Sequence, residues 1–181
     1  MCGEGLTCYY GTQVSVLCPA GTYGKFDMLD AATGGTRNCE TCPGGYLCAT
    51  TGMTEPTPCG KGKYSADGEA TACSDCDLGY YCEREDTSQT MMNANSCSAG
   101  YECPIGTEER PFYDHEDQWG IGNKYSCPLG HYCTAGVAIA CPTGTYNPLY
   151  GAQSDADCFE TPAGYYTDQE GSYDFINNRC P

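Results

Sequence analysis

Seventeen of the 181 residues are cysteine, and the spacing of these thiols decides which chemistry the chain can support. Cys39 with Cys42, and Cys73 with Cys76, have the Cys-x-x-Cys spacing of zinc sites and of thioredoxin-like redox centres. No βαβ pattern surrounds either pair, which argues against a redox centre. Because a repeat assigns the same four cysteines to disulfides, we prefer that interpretation and keep zinc as the alternative. We predict no metal site and no cofactor.

The repeat consists of two loop patterns. A long loop opens with Cys-x-x-Gly-x-Tyr and closes at a later cysteine, whereas a short loop reads Cys-x-x-Gly-x-x-Cys. All five short loops have glycine at the same place, where a tight closed turn needs a positive φ or a close backbone approach. The pattern predicts eight disulfides, which are Cys2–Cys8, Cys18–Cys39, Cys42–Cys48, Cys59–Cys73, Cys76–Cys82, Cys97–Cys103, Cys127–Cys133 and Cys141–Cys158.

A further copy of the short loop supports this pairing. Residues 161–167 match the short-loop pattern except that Thr161 and Thr167 replace both cysteines. Two cysteines that are absent together are expected to be partners of each other. Sequence alone does not normally determine connectivity, and a shifted scheme that joins Cys42 to Cys59 stays open.

The eight predicted pairs leave Cys180 without a partner in the chain. Cys180-Pro181 matches the way in which the long loops at residues 18 and 141 begin. We therefore expect this cysteine to open a further long loop that closes beyond Pro181. A bridge to another subunit is the alternative.

The composition indicates a fold without a large hydrophobic core. The chain has 24 glycines, 11 prolines and 16 tyrosines, but four phenylalanines and one tryptophan. Cross-links take the place of a core in small modules of this kind. We predict a small disulfide-rich fold with little regular secondary structure, built from tandem short two-stranded β modules that form an elongated array. Strands are expected within 12–17 and after each Gly-x-Tyr, with at most one short helix near 83–95.

Module boundaries follow from the repeat. We predict a partial cysteine-rich module at 1–17, then full modules at 18–58 and 59–96. An irregular module at 97–140 carries an aromatic insertion at 104–126. A module at 141–179 lacks one disulfide, and residues 180–181 start a further module.

The charge of the chain limits its partners. Asp and Glu outnumber Lys and Arg by 24 to 8, which gives a net charge of −16 and argues against nucleic acid and anionic membranes. Calcium has weak support, from Asp155-Ala156-Asp157 and from the acidic residues at 114–117, since neither segment has a full EF-hand ligand series. No apolar run is long enough to span a membrane. The cysteine content predicts an oxidising location, which is extracellular or at the cell surface.

One aromatic segment, which contains the single tryptophan, interrupts the array. Its first interpretation is a local mini-core that replaces a lost long loop. The other is a contact surface for a partner or a neighbouring subunit, and its candidate interface residues are Phe112, Tyr113, Trp119 and Ile121. The sequence has no Gly-x-Ser-x-Gly motif, phosphate-binding loop or paired-carboxylate cleft, so we expect a protein that is not an enzyme.

Two motifs carry a resemblance to a known family. The segments 18–23 and 141–146 read Cys-Pro-x-Gly-Thr-Tyr, and 39–46 reads Cys-x-x-Cys-Pro-Gly-Gly-Tyr. With these, the chain resembles ephrin-receptor-like cysteine-rich repeats, well over 2–103 and 127–181 and poorly over 104–126. The alternation with Cys-Pro-x-Gly-Tyr-Tyr-Cys-type loops is similar to giant cysteine-rich surface proteins of protists.

The resemblance implies an extracellular spacer, coat, adhesin or fibril, including the hair-like mastigonemes of flagella. We expect a structural module of an extracellular filament or coat that associates with itself. The alternative is a ligand-binding or adhesive receptor ectodomain whose partner is another extracellular protein.

Overall fold

The fold is a set of short antiparallel strand pairs, seen in a computed structural model that describes residues 6–8, 15–24, 39–68, 70–111, 124–176 and 178–181. The strands in these residues are β1 (Leu6–Cys8), β2 (Ser15–Leu17), β3 (Thr22–Gly24), β4 (Cys39–Thr41), β5 (Tyr46–Leu47), β6 (Thr57–Pro58), β7 (Lys63–Tyr64), β8 (Ser74–Asp75), β9 (His131–Thr134), β10 (Val137–Ala140), β11 (Thr145–Tyr146) and β12 (Phe159–Glu160). The other regular elements in the described residues are one α-helix, α1 (Gln89–Ala94), and a 3-10 turn at Asp155–Asp157.

Each strand pairs with its neighbour in sequence, which gives two-stranded sheets throughout the described residues. Three of these sheets, β3–β4, β7–β8 and β11–β12, join the Gly-x-Tyr opening of a long loop to residues at or just after its closing cysteine. A long loop is therefore closed twice, once by strand pairing and once by a disulfide. The predicted small disulfide-rich, strand-based fold is confirmed.

The helix and the strand expected within 12–17 lie where the sequence placed them, whereas the strands expected after each Gly-x-Tyr lie on that motif and end at its tyrosine or one residue later. β2 falls within 12–17, and strands include the tyrosine of each Gly-x-Tyr opening. α1 lies within 83–95 and begins after Ser88, whose Oγ accepts a hydrogen bond from the Met91 N–H at 3.3 Å. A serine in this position satisfies one of the backbone donors that the first turn leaves free. Met92 is the fully buried residue of this helix.

Sulfur and small residues make up most of the interior. Among the described residues the fully buried side chains are nine cysteines together with Met92, Asn147 and Thr87. The chain divides into two compact units, the first comprising Met1–Cys76 with Cys82–Ala94 and the second Asp77–Tyr81 with Asn95–Pro181. Each unit contains several cross-linked loops, so the stabilising contacts are distributed along the chain.

Seven disulfides are present in the described residues. They join Cys18 to Cys39, Cys42 to Cys48, Cys59 to Cys73, Cys76 to Cys82, Cys97 to Cys103, Cys127 to Cys133 and Cys141 to Cys158. These are the partners that the repeat predicts. The eighth predicted pair, Cys2–Cys8, involves a cysteine outside the described residues.

Candidate functional site

One seven-residue loop underlies both sequence patterns. In the short loops from residue 42 onwards and in the openings at Cys18 and Cys141, the N–H of the fifth residue donates to the C=O of the second at 3.1–3.3 Å. The fourth residue is glycine with φ between 73° and 89° wherever the loop occurs in the described residues. This is the arrangement of a type II turn, which requires a positive φ at its third position. The invariant glycine of the pattern thus has a conformational cause.

The seventh residue of the loop is buried, whatever its type, in every copy whose burial the structure describes. It is cysteine in the short loops, and these residues are Cys48, Cys82, Cys103 and Cys133. In the other copies it is Gly24, Ser65, Asn147 or Thr167. Sequence reasoning missed Ser65 and Asn147 because it looked for cysteine at this place. The signal that would have found them is their offset of six residues from Cys59 and Cys141.

Successive loops are joined by a recurring contact that we call the glycine clamp. The C=O of the loop glycine accepts the N–H of the first residue of the next loop, and the glycine N–H donates to the C=O of its seventh residue. The distances are 2.7–3.0 Å. In the first unit, Gly21 clamps the loop at 42–48 and Gly62 clamps 76–82. In the second unit the clamping glycines are Gly79, Gly100, Gly130 and Gly144.

The clamp at Gly45 has a variation that explains Ser65. Gly45 accepts the Cys59 N–H at 3.0 Å but donates its own N–H to the Ser65 hydroxyl at 2.8 Å. The same hydroxyl donates to the Tyr46 C=O at 2.9 Å. A buried serine thereby holds the loop at the place where other copies have a cysteine.

Asn147 has the equivalent role in the second unit. It is fully buried, its C=O accepts the Gly130 N–H at 2.8 Å, and its side-chain amide donates to the His131 C=O at 2.7 Å. Its side-chain oxygen accepts the Leu149 N–H at 2.9 Å. Because unpartnered buried amides are costly, these contacts account for an asparagine in the interior.

Several clamping glycines also lie against another stretch of backbone. A Cβ added at Gly130 would overlap the carbonyl oxygen of Gly171, and one added at Gly45 would overlap that of Asp86. A Cβ at Gly144 would meet nothing within 4 Å. Gly130 must therefore be glycine for two reasons, its positive φ and the lack of space for a Cβ. At Gly144 the positive φ is the only one of these reasons that applies.

The loop that lacks its disulfide is closed by two hydroxyls. Thr161 Oγ1 and Thr167 Oγ1 are 2.9 Å apart, and Thr161 donates to the Gly144 C=O at 2.9 Å. Thr167 Oγ1 also donates to the Thr145 C=O at 3.2 Å, so two hydroxyl hydrogens serve three contacts of this loop. Both glycine-clamp bonds to this loop are kept, at 2.9 Å each. The fold of the loop therefore does not depend on the cross-link.

Ring contacts in the second unit form a continuous surface that we call the aromatic strip, composed of Phe159, Tyr146, Phe175 and Tyr165. Successive ring centroids are 6.0, 4.8 and 5.0 Å apart. The Arg179 guanidinium lies over the last ring, 5.8 Å from its centroid. Phe159 is 44% exposed and the other three rings are half-buried.

Electrostatic contacts among the described residues are few and lie at the surface. Tyr23 donates to Glu40 at 2.8 Å across β3–β4, and this hydrogen bond is the main cause that raises the pKa of Tyr23. Arg84 donates to Asp86 at 2.9 Å and thereby lowers the pKa of that carboxyl. Lys63 and Asp75 form a further exposed ion pair across β7–β8.

The remaining predicted sites have different outcomes. Phe112, Tyr113, Trp119 and Ile121 lie outside the described residues, as do the acidic residues at 114–117. Cys180 is exposed and has no disulfide. Within the described ranges no three His, Cys, Asp or Glu side chains are grouped so that they could hold a metal ion. Asp157 caps the 3-10 turn instead, since it accepts the N–H groups of Gln153 and Ser154 at 2.7 and 3.1 Å.

Comparison with known proteins adds one relative. No protein-family model matches the chain. A curated mouse protein described as signal peptide, CUB and EGF-like domain-containing protein 2 is 30% identical over 187 aligned residues. The match takes in 96% of this chain and 16% of the relative, so the chain spans about a sixth of that protein's length. No helix in the described residues is long and apolar enough to cross a membrane.

Proposed function

We propose that this chain is a non-enzymatic structural module of an extracellular filament or cell-surface coat. The seven disulfides indicate an extracellular domain, because such bonds persist in oxidising compartments. The similarity to a mouse protein whose description includes a signal peptide and EGF-like domains supports the same location. The resemblance to ephrin-receptor-like repeats of protist surface proteins stays part of the proposal.

The glycine clamp is the observation that carries the structural role. Each clamp joins a glycine of one loop to the two ends of the next, so the two contacting surfaces differ. An interaction between unlike surfaces has a direction, and it extends as an open array unless the rotation from one copy to the next closes a ring. Because each loop contacts mainly the loops next to it, further loops can be added to a series of this kind without a change in the existing contacts. This is the behaviour expected of a spacer in a filament or coat.

The proposal that the module has no catalytic activity rests on how its polar residues are used. The buried polar side chains Ser65 and Asn147 are engaged with backbone groups. Thr87 is fully buried and donates to the Arg84 C=O at 2.9 Å. A nucleophile or general base would instead need a second reactive side chain within hydrogen-bond reach. These residues are therefore assigned to closing loops.

Imaging of native material tests the structural role. Antibodies raised against the oxidised chain and labelled with gold should decorate filaments or a coat at regular intervals in negative-stain micrographs. Pre-absorption of the antibody with the oxidised chain provides the control and should remove the label. Isolated gold particles on membranes, without any repeating structure, would reject the filament and support the ectodomain of a receptor or adhesin.

A specific observation favours that second function. Several large apolar side chains of the second unit are exposed, including Ile105 at 68%, Ile176 at 70% and Tyr173 at 56%. A surface with several exposed apolar side chains is typical of a site that binds another protein. A filament subunit needs two contact surfaces for its neighbours, whereas a binding ectodomain needs one surface for a foreign partner. The imaging experiment distinguishes the two, because the first gives a regular repeat of label and the second gives isolated particles.

A further inference from the structure

The aromatic strip is not part of a hydrophobic core. Its four rings contact one another edge to face or at a tilt, and each keeps part of its surface in solvent. The fully buried aliphatic side chain of the described residues, Met92, lies in the other unit. The rings therefore present a connected apolar surface, which is the kind of surface that proteins use for binding.

The corresponding positions of the other modules are polar. The tyrosine of each long-loop opening faces Glu40 in β3–β4 and Ser74 in β7–β8, but faces Phe159 in β11–β12. An aromatic cross-strand pair of this kind contributes to the stability of a sheet, but Phe159 still leaves 44% of its surface exposed. The exception is explained if Phe159 contacts something outside the chain.

The part of the chain that contains the strip is acidic, which favours some classes of partner over others. From Tyr125 to Pro181 the sequence has six Asp and Glu residues but one Lys or Arg, which is Arg179. Glu160 and Asp174 directly follow and precede the two phenylalanines of the strip. A second copy of the chain would bring the same acidic residues and a net charge of −16 to the contact, so like-charge repulsion disfavours it. Charge complementarity favours a basic partner.

Arg179 shows how a basic side chain fits this surface. Its guanidinium lies over the Tyr165 ring, where the electron-rich face attracts a cation. Arginine suits such a place because its planar group stacks on a ring and can still donate to carboxylates.

We propose that the aromatic strip binds a basic, arginine-containing segment of another extracellular protein. Guanidinium groups of that segment stack on the rings as Arg179 does, while the acidic residues of this part of the chain attract the segment through their summed charge. This binding site is independent of the structural role proposed above, since the clamps do not use the four rings.

The test uses the full oxidised chain and three synthetic peptides of equal length. The peptides alternate leucine with arginine, with lysine or with glutamate, and their binding is measured by isothermal titration calorimetry. The arginine peptide should bind most tightly, the lysine peptide more weakly, and the glutamate peptide should not bind. Binding should weaken at high salt, because exposed charges are screened beyond about 3 Å at 1 M. Equal binding of the arginine and glutamate peptides would overturn the proposal.

Two variants with opposite expected effects separate binding from folding. Phe159→Ser removes an exposed ring and should weaken binding of the arginine peptide roughly tenfold, whereas Val16→Ser, at a residue of the first unit with similar exposure, should leave its affinity unchanged. Arg179→Ala uncovers the Tyr165 ring and removes a competing cation, so it should tighten binding about two- to fivefold. A merely structural role of the strip predicts weaker binding in both strip variants, and that result would overturn the proposal. So would a chain that dimerises in sedimentation experiments through Phe159, since a second copy would then be the occupant.

Discussion

At the scale of single residues, the glycine and the seventh residue decide whether the loop can form. The glycine has a φ that other residues adopt at a cost, and its N–H and C=O both reach the next loop. The seventh residue varies from cysteine to asparagine, serine, threonine and glycine, but from the loop at residue 18 onwards it is buried in each copy. The backbone arrangement therefore persists while the side chain that closes the loop changes.

Two matched glycine substitutions distinguish the cost of a positive φ from the cost of a steric overlap with neighbouring backbone. Gly144→Ala adds a Cβ in open space, so it should cost about 1–2 kcal/mol for the left-handed conformation alone. Gly130→Ala has a similar φ but overlaps the Gly171 carbonyl, so the backbone must move and the loss should be roughly 3 kcal/mol or more. Denaturant midpoints of the oxidised variants measure both. Equal losses would show that the close approach at Gly130 has no energetic weight.

Asn147→Ala should be among the costly polar substitutions of the chain. It removes two hydrogen bonds and leaves the His131 C=O and the Leu149 N–H without their partners. Because buried groups then lose solvation as well as a bond, we expect a loss of about 2–4 kcal/mol in the free energy of unfolding. Asn93→Ala, at an exposed asparagine, is the control and should change stability by less than about 0.5 kcal/mol. If the two variants unfold alike, Asn147 does not hold its loop.

At the scale of elements, the loop with two threonines shows what a disulfide adds. Residues 161–167 keep the turn and both glycine-clamp bonds without a cross-link. The short loops with the same spacing have Cα separations of 5.6–6.5 Å between their cysteines. The hydroxyl pair therefore occupies a backbone site that suits a disulfide.

The double substitution Thr161→Cys with Thr167→Cys should form the absent disulfide. For a loop of this length the loop-entropy model gives about 2 kcal/mol, reduced by the loss of the threonine hydrogen bonds. Peptide mapping without reduction should recover the new pair, and thermal unfolding should shift upwards. The single variants, which cannot form the bond, are the controls. If Cys180 pairs with either new cysteine instead, the local pairing rule fails for this loop.

The cross-strand pair Tyr23–Glu40 gives an element-scale prediction for pH. The hydrogen bond to Glu40 favours the neutral phenol and raises the pKa of Tyr23 above 10.0 in the folded state. The contribution to stability is thus present below pH 10 and is lost as the pH rises through the raised value. Glu40→Gln, which keeps an acceptor but removes the charge, should lower the pKa of Tyr23. An NMR titration of its ring carbons measures this, and an unchanged value would contradict the assignment.

Local spacing explains how much of this fold the sequence could predict. The cysteine pattern, the helix near Met92 and the strand at each Gly-x-Tyr depend on residues close in the chain, so their signals are visible as spacing. Ser65 and Asn147 were missed because a polar residue at the seventh position resembles any loop residue. The aromatic strip was missed for another reason, since Phe175 contacts Tyr146 although the two residues are 29 apart in sequence number. Such a contact is set by the fold and leaves no periodic pattern.

At the scale of the whole molecule, cross-links must offset a small interior and a large net charge. Two surface ion pairs are formed among the described residues, and a charge of −16 remains to repel itself. Exposed pairs of this kind are worth about 0–1 kcal/mol each. The acidic surface favours solubility and disfavours compactness, so the disulfides and the repeated backbone contacts must hold the fold together.

Reduction of the cysteines should therefore unfold the oxidised chain at a temperature that it otherwise tolerates. By the loop-entropy model each described disulfide contributes about 2–3.5 kcal/mol. The loss of seven exceeds the roughly 5–15 kcal/mol by which typical domains are stable. Near-ultraviolet circular dichroism before and after reduction with neutral iodoacetamide capping measures the effect, and capping of the unreduced protein is the control. Adding salt to the reduced chain distinguishes charge repulsion from the loss of disulfides as the cause of unfolding, because screening weakens repulsion but cannot restore a cross-link. A capped, reduced chain that keeps its near-ultraviolet signal, or recovers it in 1 M salt, would show that the loops and clamps hold without disulfides, as the threonine loop already does locally.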